Sequence, residues 1–318
     1  MEGSRGAVVA IDPRSGDLLA LVSAPSFDPN RFATGLSQQD FSALNSDPDN
    51  PLFNRALAGT YPPGSVVKPF LGLAALHHLE IEPGAREMCP GFFTLPGHTH
   101  RYRDWRPQGH GLVDLHNAIV QSCDVFYYRL AVELGIDTME QFLKSFGFGA
   151  PTGIPIAGER SGVVPSREWK RNNFSRREDQ VWFPGETVIT GIGQGFTTVT
   201  PIQLAHATAV LASRGLIYRP RLVLAVEDGV TGEVTETRPV NLGYVDVEDS
   251  QWQTIHEAML GVNEEPQGSG FRAMRGAPYR VAGKTGTAQV FSIAQEEEYD
   301  EENVEERLRD HGLFIAFA

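Results

Sequence analysis

Ser65 and Lys68 stand three residues apart in Tyr61-Pro-Pro-Gly-Ser-Val-Val-Lys-Pro-Phe70, and covalent chemistry is best placed at that pair. A serine hydroxyl is a weak nucleophile until a neighbouring base takes its proton, and an amine on the same helical face is such a base. The turn-forming Pro62-Pro63-Gly64 delivers Ser65 to the start of an apolar run that ends near His78. If that run is a helix, its first N–H groups favour negative charge developing beside Ser65. Lysine usage points the same way. Of 27 Lys and Arg only four are lysines, Lys68, Lys144, Lys170 and Lys284. Arg stays protonated, whereas a desolvated Lys can lose its proton and act as a base. Taken alone, Ser-x-x-Lys also fits a buried helix capped by its serine with the lysine turned to solvent.

Two further groups follow in order: Ser122-Cys-Asp124 and Lys284-Thr-Gly-Thr287. The three together match the Ser-x-x-Lys, Ser-Asp-Asn, Lys-Thr-Gly set of serine acyl enzymes. Each has a chemical role. Ser65 attacks an acyl carbon and Lys68 takes its proton. Ser122 relays that proton to a leaving amine, while Asp124 holds the loop or bonds a substrate amide. Lys284 adds positive potential and holds the Ser122 hydroxyl or a substrate carboxylate; Thr285 and Thr287 fit as strand threonines or as contacts to that carboxylate. Gly286 lets substrate lie along the strand as an added strand would. The backbone N–H groups of Ser65 and Thr287 form the oxyanion hole.

The elements that must hold these groups are legible in outline. Residues 7–11 and 17–22 flank Asp12-Pro-Arg-Ser-Gly16, a hairpin signal. Residues 24–60 read as a connecting loop and 83–111 as an irregular one. A helix is expected from Asp114 to Gly135, interrupted at Gln121-Ser-Cys-Asp124, and another over 137–146. Residues 147–190 are turn-rich. Gly191-Ile-Gly-Gln-Gly195 reads as a tight turn backing the site rather than a phosphate loop, because no convincing strand precedes it. Thr200 then caps a helix with Pro201 in its first turn, running to about Ser213. A hairpin over 221–237, a helix over 246–263 and a strand over 279–291 complete the pattern. The acidic stretch 295–310 reads as a solvated loop or lid.

In these residues the chain resembles the transpeptidase domain of class B penicillin-binding proteins, closest to the rod-elongation branch of penicillin-binding protein 2. Tyr61 to Pro69, Arg101-Tyr-Arg-Asp-Trp105, Ser122-Cys-Asp124, Arg160-Ser-Gly162 with Arg167-Glu-Trp-Lys170, Gly191 to Gly195 with Thr200-Pro-Ile-Gln203, and Lys284 to Thr287 carry the likeness. It implies an α/β fold, an antiparallel sheet flanked by helices. Residues 65–160 would form a mainly helical part bearing the first two motifs; residues 1–64 and 161–318 would form a sheet-containing part bearing the third. It also implies peptidoglycan D,D-transpeptidation through a Ser65 acyl-enzyme on D-Ala-D-Ala stem peptides, acylation by β-lactams, and partnership with a RodA-type glycosyltransferase and MreC. Asp124 stands where most of the superfamily has Asn, as in the rod-elongation branch. The family's final strands and C-terminal helix are missing. Other readings of the same residues are a D,D-carboxypeptidase, a class D-like β-lactamase, or a non-catalytic β-lactam-sensing or scaffold module.

A second cluster gathers both cysteines: Cys89, Asp104, His110 and Cys123. Four N, S and O donors match a closed structural zinc site. The resemblance implies zinc here, since some members carry an Asp, Asp, His, Cys set and Cys89 stands where Asp is frequent. His98, His100 and His116 are near enough in sequence to replace one ligand. A Cys89–Cys123 disulfide in an oxidising periplasm, or two buried thiols, are the alternatives.

Composition bounds the rest. The chain has 318 residues, 41% hydrophobic and 21% charged, with a net charge of −13 that argues against a nucleic-acid surface. No stretch approaches the eighteen or so apolar residues of a membrane span, and no signal peptide opens the chain. A strand begins almost at the first residues and another is cut at 313–318, so a fragment is expected, its membrane anchor removed with the flanks and its native place periplasmic.

Overall fold

The computed structural model describes residues 5–288 and 309–318. Strands β1 (Gly6–Ile11) and β2 (Leu18–Ala24) form the expected antiparallel hairpin. Residues 24–60, where composition predicts a loop, instead contain three short helices, α1 (Asn30–Thr34), α2 (Gln38–Ser46) and α3 (Arg55–Ala58). Ser37 and Asn54 cap the second and third by accepting backbone N–H groups, local bonds that a search for apolar periodicity overlooks. A 3₁₀ turn (Gly64–Val67) leads into α4 (Lys68–His78). The irregular stretch that follows holds four very short strands, β3 (Glu87–Cys89), β4 (Phe92–Phe93), β5 (Tyr102–Arg103) and β6 (Gly111–Val113), paired β3 with β6 and β4 with β5. Strands of two or three residues are too short for alternation to register.

Helices α5 (Leu115–Val120) and α6 (Asp124–Ser145) break at the expected place, and α6 kinks at Gly135. Helices α7 (Arg167–Asn173) and α8 (Pro184–Thr190) occupy part of the turn-rich segment. Helix α9 (Pro201–Ala212) begins with a capping box of Thr200 and Gln203. Strands β7 (Leu216–Tyr218), β8 (Ala225–Glu227), β9 (Val234–Glu236) and β10 (Asn241–Tyr244) precede α10 (Asp249–Glu264) and α11 (Phe271–Met274). Strand β11 (Ala282–Ala288) pairs antiparallel with β12 (His311–Phe317), Thr287 opposite Gly312. Most of the acidic stretch, and the end of the strand expected to reach 291, lie outside the described residues. Among the described residues no helix is long and apolar enough to cross a membrane.

The chain forms two compact units. One comprises residues 1–60, 147–162 and 199–244. Its core is Leu57, Ile154 and Ile202, packed with Val9, Leu18 and Leu21 of the hairpin. Arg221 reinforces it with a two-pronged ion pair to Asp17.

The other unit comprises residues 61–146, 163–198 and 245–318 and holds all three motifs. Its core runs through α4, α6 and α10. Phe70 meets Phe146 edge-on at 5.1 Å, and Phe146 meets Trp252 at 6.0 Å. Helix α4 is buried almost throughout, so its packing contacts, rather than helix propensity, hold its first turn in place. Buried Lys170 of α7 hydrogen-bonds the Val181 carbonyl at 2.7 Å, pairs with Glu186 of α8 and lies against the rings of Phe183 and Phe196. That contact anchors the segment leading into Gly191 to Gly195.

Candidate active site

Ser65 lies on the 3₁₀ turn, and its carbonyl accepts the N–H of Lys68, the first residue of α4. In a 3₁₀ turn the side chains at i and i+3 eclipse, so Ser65 and Lys68 share an edge. Lys68 is fully buried and directs its Nζ at the break between α5 and α6. There it donates to the Ser122 carbonyl at 2.8 Å, the Ser122 hydroxyl at 3.2 Å and Asp124 Oδ1 at 2.7 Å. The ring of Tyr127 lies 5.4 Å from the same nitrogen. Ser122 has a left-handed backbone, φ 58°, uncommon for a residue with a side chain. Its Oγ and carbonyl both face Lys68. Asp124 Oδ2 accepts the backbone N–H of Trp105 at 3.1 Å, and the Trp105 indole donates to the Ser122 carbonyl at 3.1 Å.

Strand β11 brings the third motif against the nucleophile turn. A Cβ on Gly286 would lie 2.8 Å from Val66 Cγ1 and 3.0 Å from the Pro63 carbonyl oxygen, so only glycine allows this approach. Gly64, at φ 55°, packs its backbone on the Thr287 peptide, where any side chain would strike the Thr287 carbonyl oxygen. Gly193, at φ 69°, packs on Gly64 in turn, and its carbonyl accepts the Gly64 N–H at 2.9 Å. Lys284 is fully buried and donates to the Thr285 carbonyl at 2.9 Å. Burial and, secondarily, the charge of Lys68 hold its pKa well below the usual lysine range, with Asp124 opposing. The Thr285 hydroxyl meets Ser269 at 2.6 Å.

Cys89, Asp104, His110 and Cys123 come together as well, one donor atom from each within 4.8 Å of the others. Both cysteines are buried and free of a disulfide. Cys89 Sγ lies 3.5 Å from Asp104 Oδ2 and 3.5 Å from His110 Nδ1. Cys123 Sγ lies 3.5 Å from Asp104 Oδ2, and His110 Nδ1 lies 3.4 Å from Asp104 Oδ1. A tetrahedron with metal–ligand bonds of about 2.0–2.3 Å has edges of about 3.3–3.8 Å, the range in which these four separations fall. Burial works against the charge of Asp104, but hydrogen bonds from His110 and from the N–H groups of Arg106 and Val125 hold its pKa well below the usual carboxylate range. Burial, with Asp104 adding to it, pushes the Cys123 thiol far up. Burial also raises Cys89. A bound cation would reverse that balance and favour thiolate.

Comparison with known proteins decides the family. The family described as "Penicillin binding protein transpeptidase domain" matches residues 6–318. The chain belongs to the penicillin-binding protein transpeptidase family. It is 45% identical to the peptidoglycan D,D-transpeptidase MrdA of Acinetobacter baumannii, a match covering 100% of this chain and 46% of that protein. The chain thus spans about half the length of the curated relatives it matches. The crystal structure of Pseudomonas aeruginosa PBP2 in complex with WCK 5153 aligns at TM-score 0.86 and 41% identity, covering 100% of this chain and 64% of the other. Helicobacter pylori PBP2, in its complex with MreC, aligns at TM-score 0.83 and 32% identity over 99% of this chain and 54% of the other. The fold is the penicillin-binding protein transpeptidase fold, mixed helix and sheet.

Within this transpeptidase fold, all twelve residues singled out from the sequence lie in one compact unit. Lys68 joins Ser122 and Asp124, Ser65 precedes it by one 3₁₀ turn, and Lys284, Thr285, Gly286 and Thr287 lie on the strand packed against that turn. His98, His100 and His116 are not among the four clustered donors. The Ser122 hydroxyl takes its hydrogen bond from Lys68, and Lys284 Nζ instead binds a main-chain carbonyl of its own strand. Trp105 enters the sequence pattern only within Arg101 to Trp105, and Gln194 only within the Gly191 to Gly195 turn. Both act across long sequence separations, where no local pattern could announce them: Gln194 Nε2 donates to the Thr287 carbonyl at 3.1 Å, 93 residues away.

Proposed function

We propose that this chain is the acyl-transferring domain, residues 1–318, of a peptidoglycan D,D-transpeptidase of cell elongation and rod shape, and a β-lactam target. One observation carries it: Lys68, one 3₁₀ turn after Ser65, reaches Ser122 and Asp124 together. Ser65 Oγ attacks the carbonyl of the penultimate D-Ala as its proton passes to Lys68. Asp124 then faces the resulting ammonium. The negative charge on the carbonyl oxygen is met by the N–H groups of Ser65 and Thr287. Ser122 passes a proton to the departing D-Ala amine as the C–N bond breaks. The amine of a neighbouring stem peptide then attacks the ester carbonyl, its proton returns through the same groups, and Ser65 is released. Thr285 and Thr287 receive the substrate carboxylate, with Lys284 adding positive potential behind them. Residues 65–160 serve as the mainly helical part, residues 1–64 and 161–318 as the sheet-containing part.

Cys89, Asp104, His110 and Cys123 would hold a zinc ion with a structural role. The ion would supply no chemistry to the reaction and would pin the loop on which Ser122 and Asp124 lie. The native protein is anchored in the inner membrane with this domain in the periplasm. A RodA-type glycosyltransferase and MreC are its partners, a reading supported by the Helicobacter pylori PBP2 complex with MreC.

The test is the intact mass of the protein after incubation with a penicillin, beside Ser65→Ala. One stable adduct, lost in the variant, is expected. Rapid release of hydrolysed penicillin would indicate a β-lactamase instead. Failure to label a folded protein would leave the scaffold reading.

A further inference from the structure

The two arms of the oxyanion hole belong to distant parts of the chain, yet one dipeptide touches both. The carbonyl of Gly193 accepts the N–H of Gly64, the residue immediately before Ser65, at 2.9 Å. The next side chain, Gln194, donates from Nε2 to the carbonyl of Thr287 at 3.1 Å. The N–H and C=O of one strand residue leave the same edge of the strand. A Thr287 carbonyl turned toward Gln194 and Gly64 therefore turns the Thr287 N–H to that edge too, away from β12. An oxyanion is stabilised only when both N–H donors lie about 2.7–3.1 Å from it, so the spacing of the arms decides the catalytic yield of the hole.

We infer that Gln194 is a positioning residue: its amide, braced by Gly193 on Gly64, fixes the Thr287 peptide at oxyanion distance from Ser65. The inference rests on the acyl-transfer reading of Ser65. Gln194 itself touches neither substrate nor reacting atoms. It acts through the Thr287 main chain, so its effect belongs to the tetrahedral state and not to the initial docking of a substrate. The side chain is half-exposed, and its replacement leaves the backbone contact between Gly193 and Gly64 intact.

The experiment compares the unsubstituted protein with Gln194→Ala and the isosteric Gln194→Glu. Stopped-flow acylation by a fluorescent penicillin separates pre-covalent affinity from the acylation rate constant. A D-Ala-mimicking boronic acid, which forms a tetrahedral adduct on serine, reports the hole directly. Gln194→Ala is expected to lower the acylation rate constant about tenfold, below the 10²–10³ seen for deleting a donor outright. Boronate affinity should fall by a similar factor, with pre-covalent affinity and melting temperature unchanged. Gln194→Glu, whose carboxylate faces the Thr287 carbonyl, should lose more. Unchanged acylation and boronate affinity in both variants overturn the inference. So does a loss shared equally by pre-covalent affinity and melting temperature, since that marks a merely structural contact. If the unsubstituted protein is not acylated at Ser65, the acyl-transfer reading fails and takes this one with it. Acylated wild type with indifferent variants removes only Gln194.

Discussion

The carboxylate of Asp104 accepts the backbone N–H of Asp124 at 2.8 Å and that of Val125 at 3.1 Å. One oxygen of the donor cluster thus satisfies the first N–H groups of α6, and Asp124 on that helix holds Lys68. Cys123, between Ser122 and Asp124, belongs to the same cluster. The four-donor cluster and the second motif are one mechanical unit.

Protein purified without chelator is therefore expected to carry zinc close to one per chain by elemental analysis. Stripping it, or Cys123→Ser, should lower the melting temperature by several degrees and slow acylation of Ser65, because Ser122 and Asp124 lose their anchor. Absence of zinc from well-folded, fully acylating protein would refute the metal assignment.

Asp124→Asn tests the two-sided use of this carboxylate. Oδ1 accepts from Lys68 and Oδ2 from Trp105 N–H, so the site needs two acceptors and an amide offers one. Either Lys68 or the Trp105 N–H would face an NH₂ group. The expected cost is about 1–3 kcal/mol in stability from chemical denaturation, with slower acylation. A variant as stable and as fast as the parent would mean that the loop simply rotates to compensate.

Lys284 gives a signed pH dependence. Its lowered pKa means that it loses its charge as pH rises, before an ordinary lysine at 10.5 would. Acylation by carboxylate-bearing penicillins should then weaken through that lowered pKa. Lys284→Arg, charged throughout, should abolish this alkaline limb even where its larger head group lowers the rate. Over the same window the unfolded chain holds a proton that the folded chain does not, so folding stability should rise with pH. An alkaline limb unaltered in Lys284→Arg would assign the titration elsewhere.

Gly64→Ala should be more damaging than its size suggests. The left-handed backbone costs about 1–2 kcal/mol for an alanine, and the methyl group would also strike the Thr287 carbonyl. A loss of at least about 2 kcal/mol and near-complete loss of penicillin labelling are expected. Wild-type labelling at a wild-type melting temperature would show that the turn relaxes freely.

Much of this site was legible in the sequence because its chemistry is local. Ser65 and Lys68 share one turn, Ser122 and Asp124 flank one helix break, and Lys284 to Thr287 form one strand. The helices over 68–78 and 201–212 announced themselves through apolar runs and, for the second, the Thr200 cap with Pro201 behind it. What escaped was held by few residues or by distant ones. The helices in 30–58 are only four to nine residues long, two of them held by side-chain caps, and β3 to β6 are too short for a period. The bonds from Trp105 to Asp124 and from Gln194 to Thr287 exist only once the chain has folded.

The stacking of Gly193 on Gly64 and of Gly64 on Thr287 means that main chain, not side chains, builds the floor beneath the Ser65 turn. Such a floor offers almost no foothold for mutation: any Cβ at either glycine collides with its neighbour. Sequence change near Ser65 must therefore fall on the surrounding side chains and leave this floor constant.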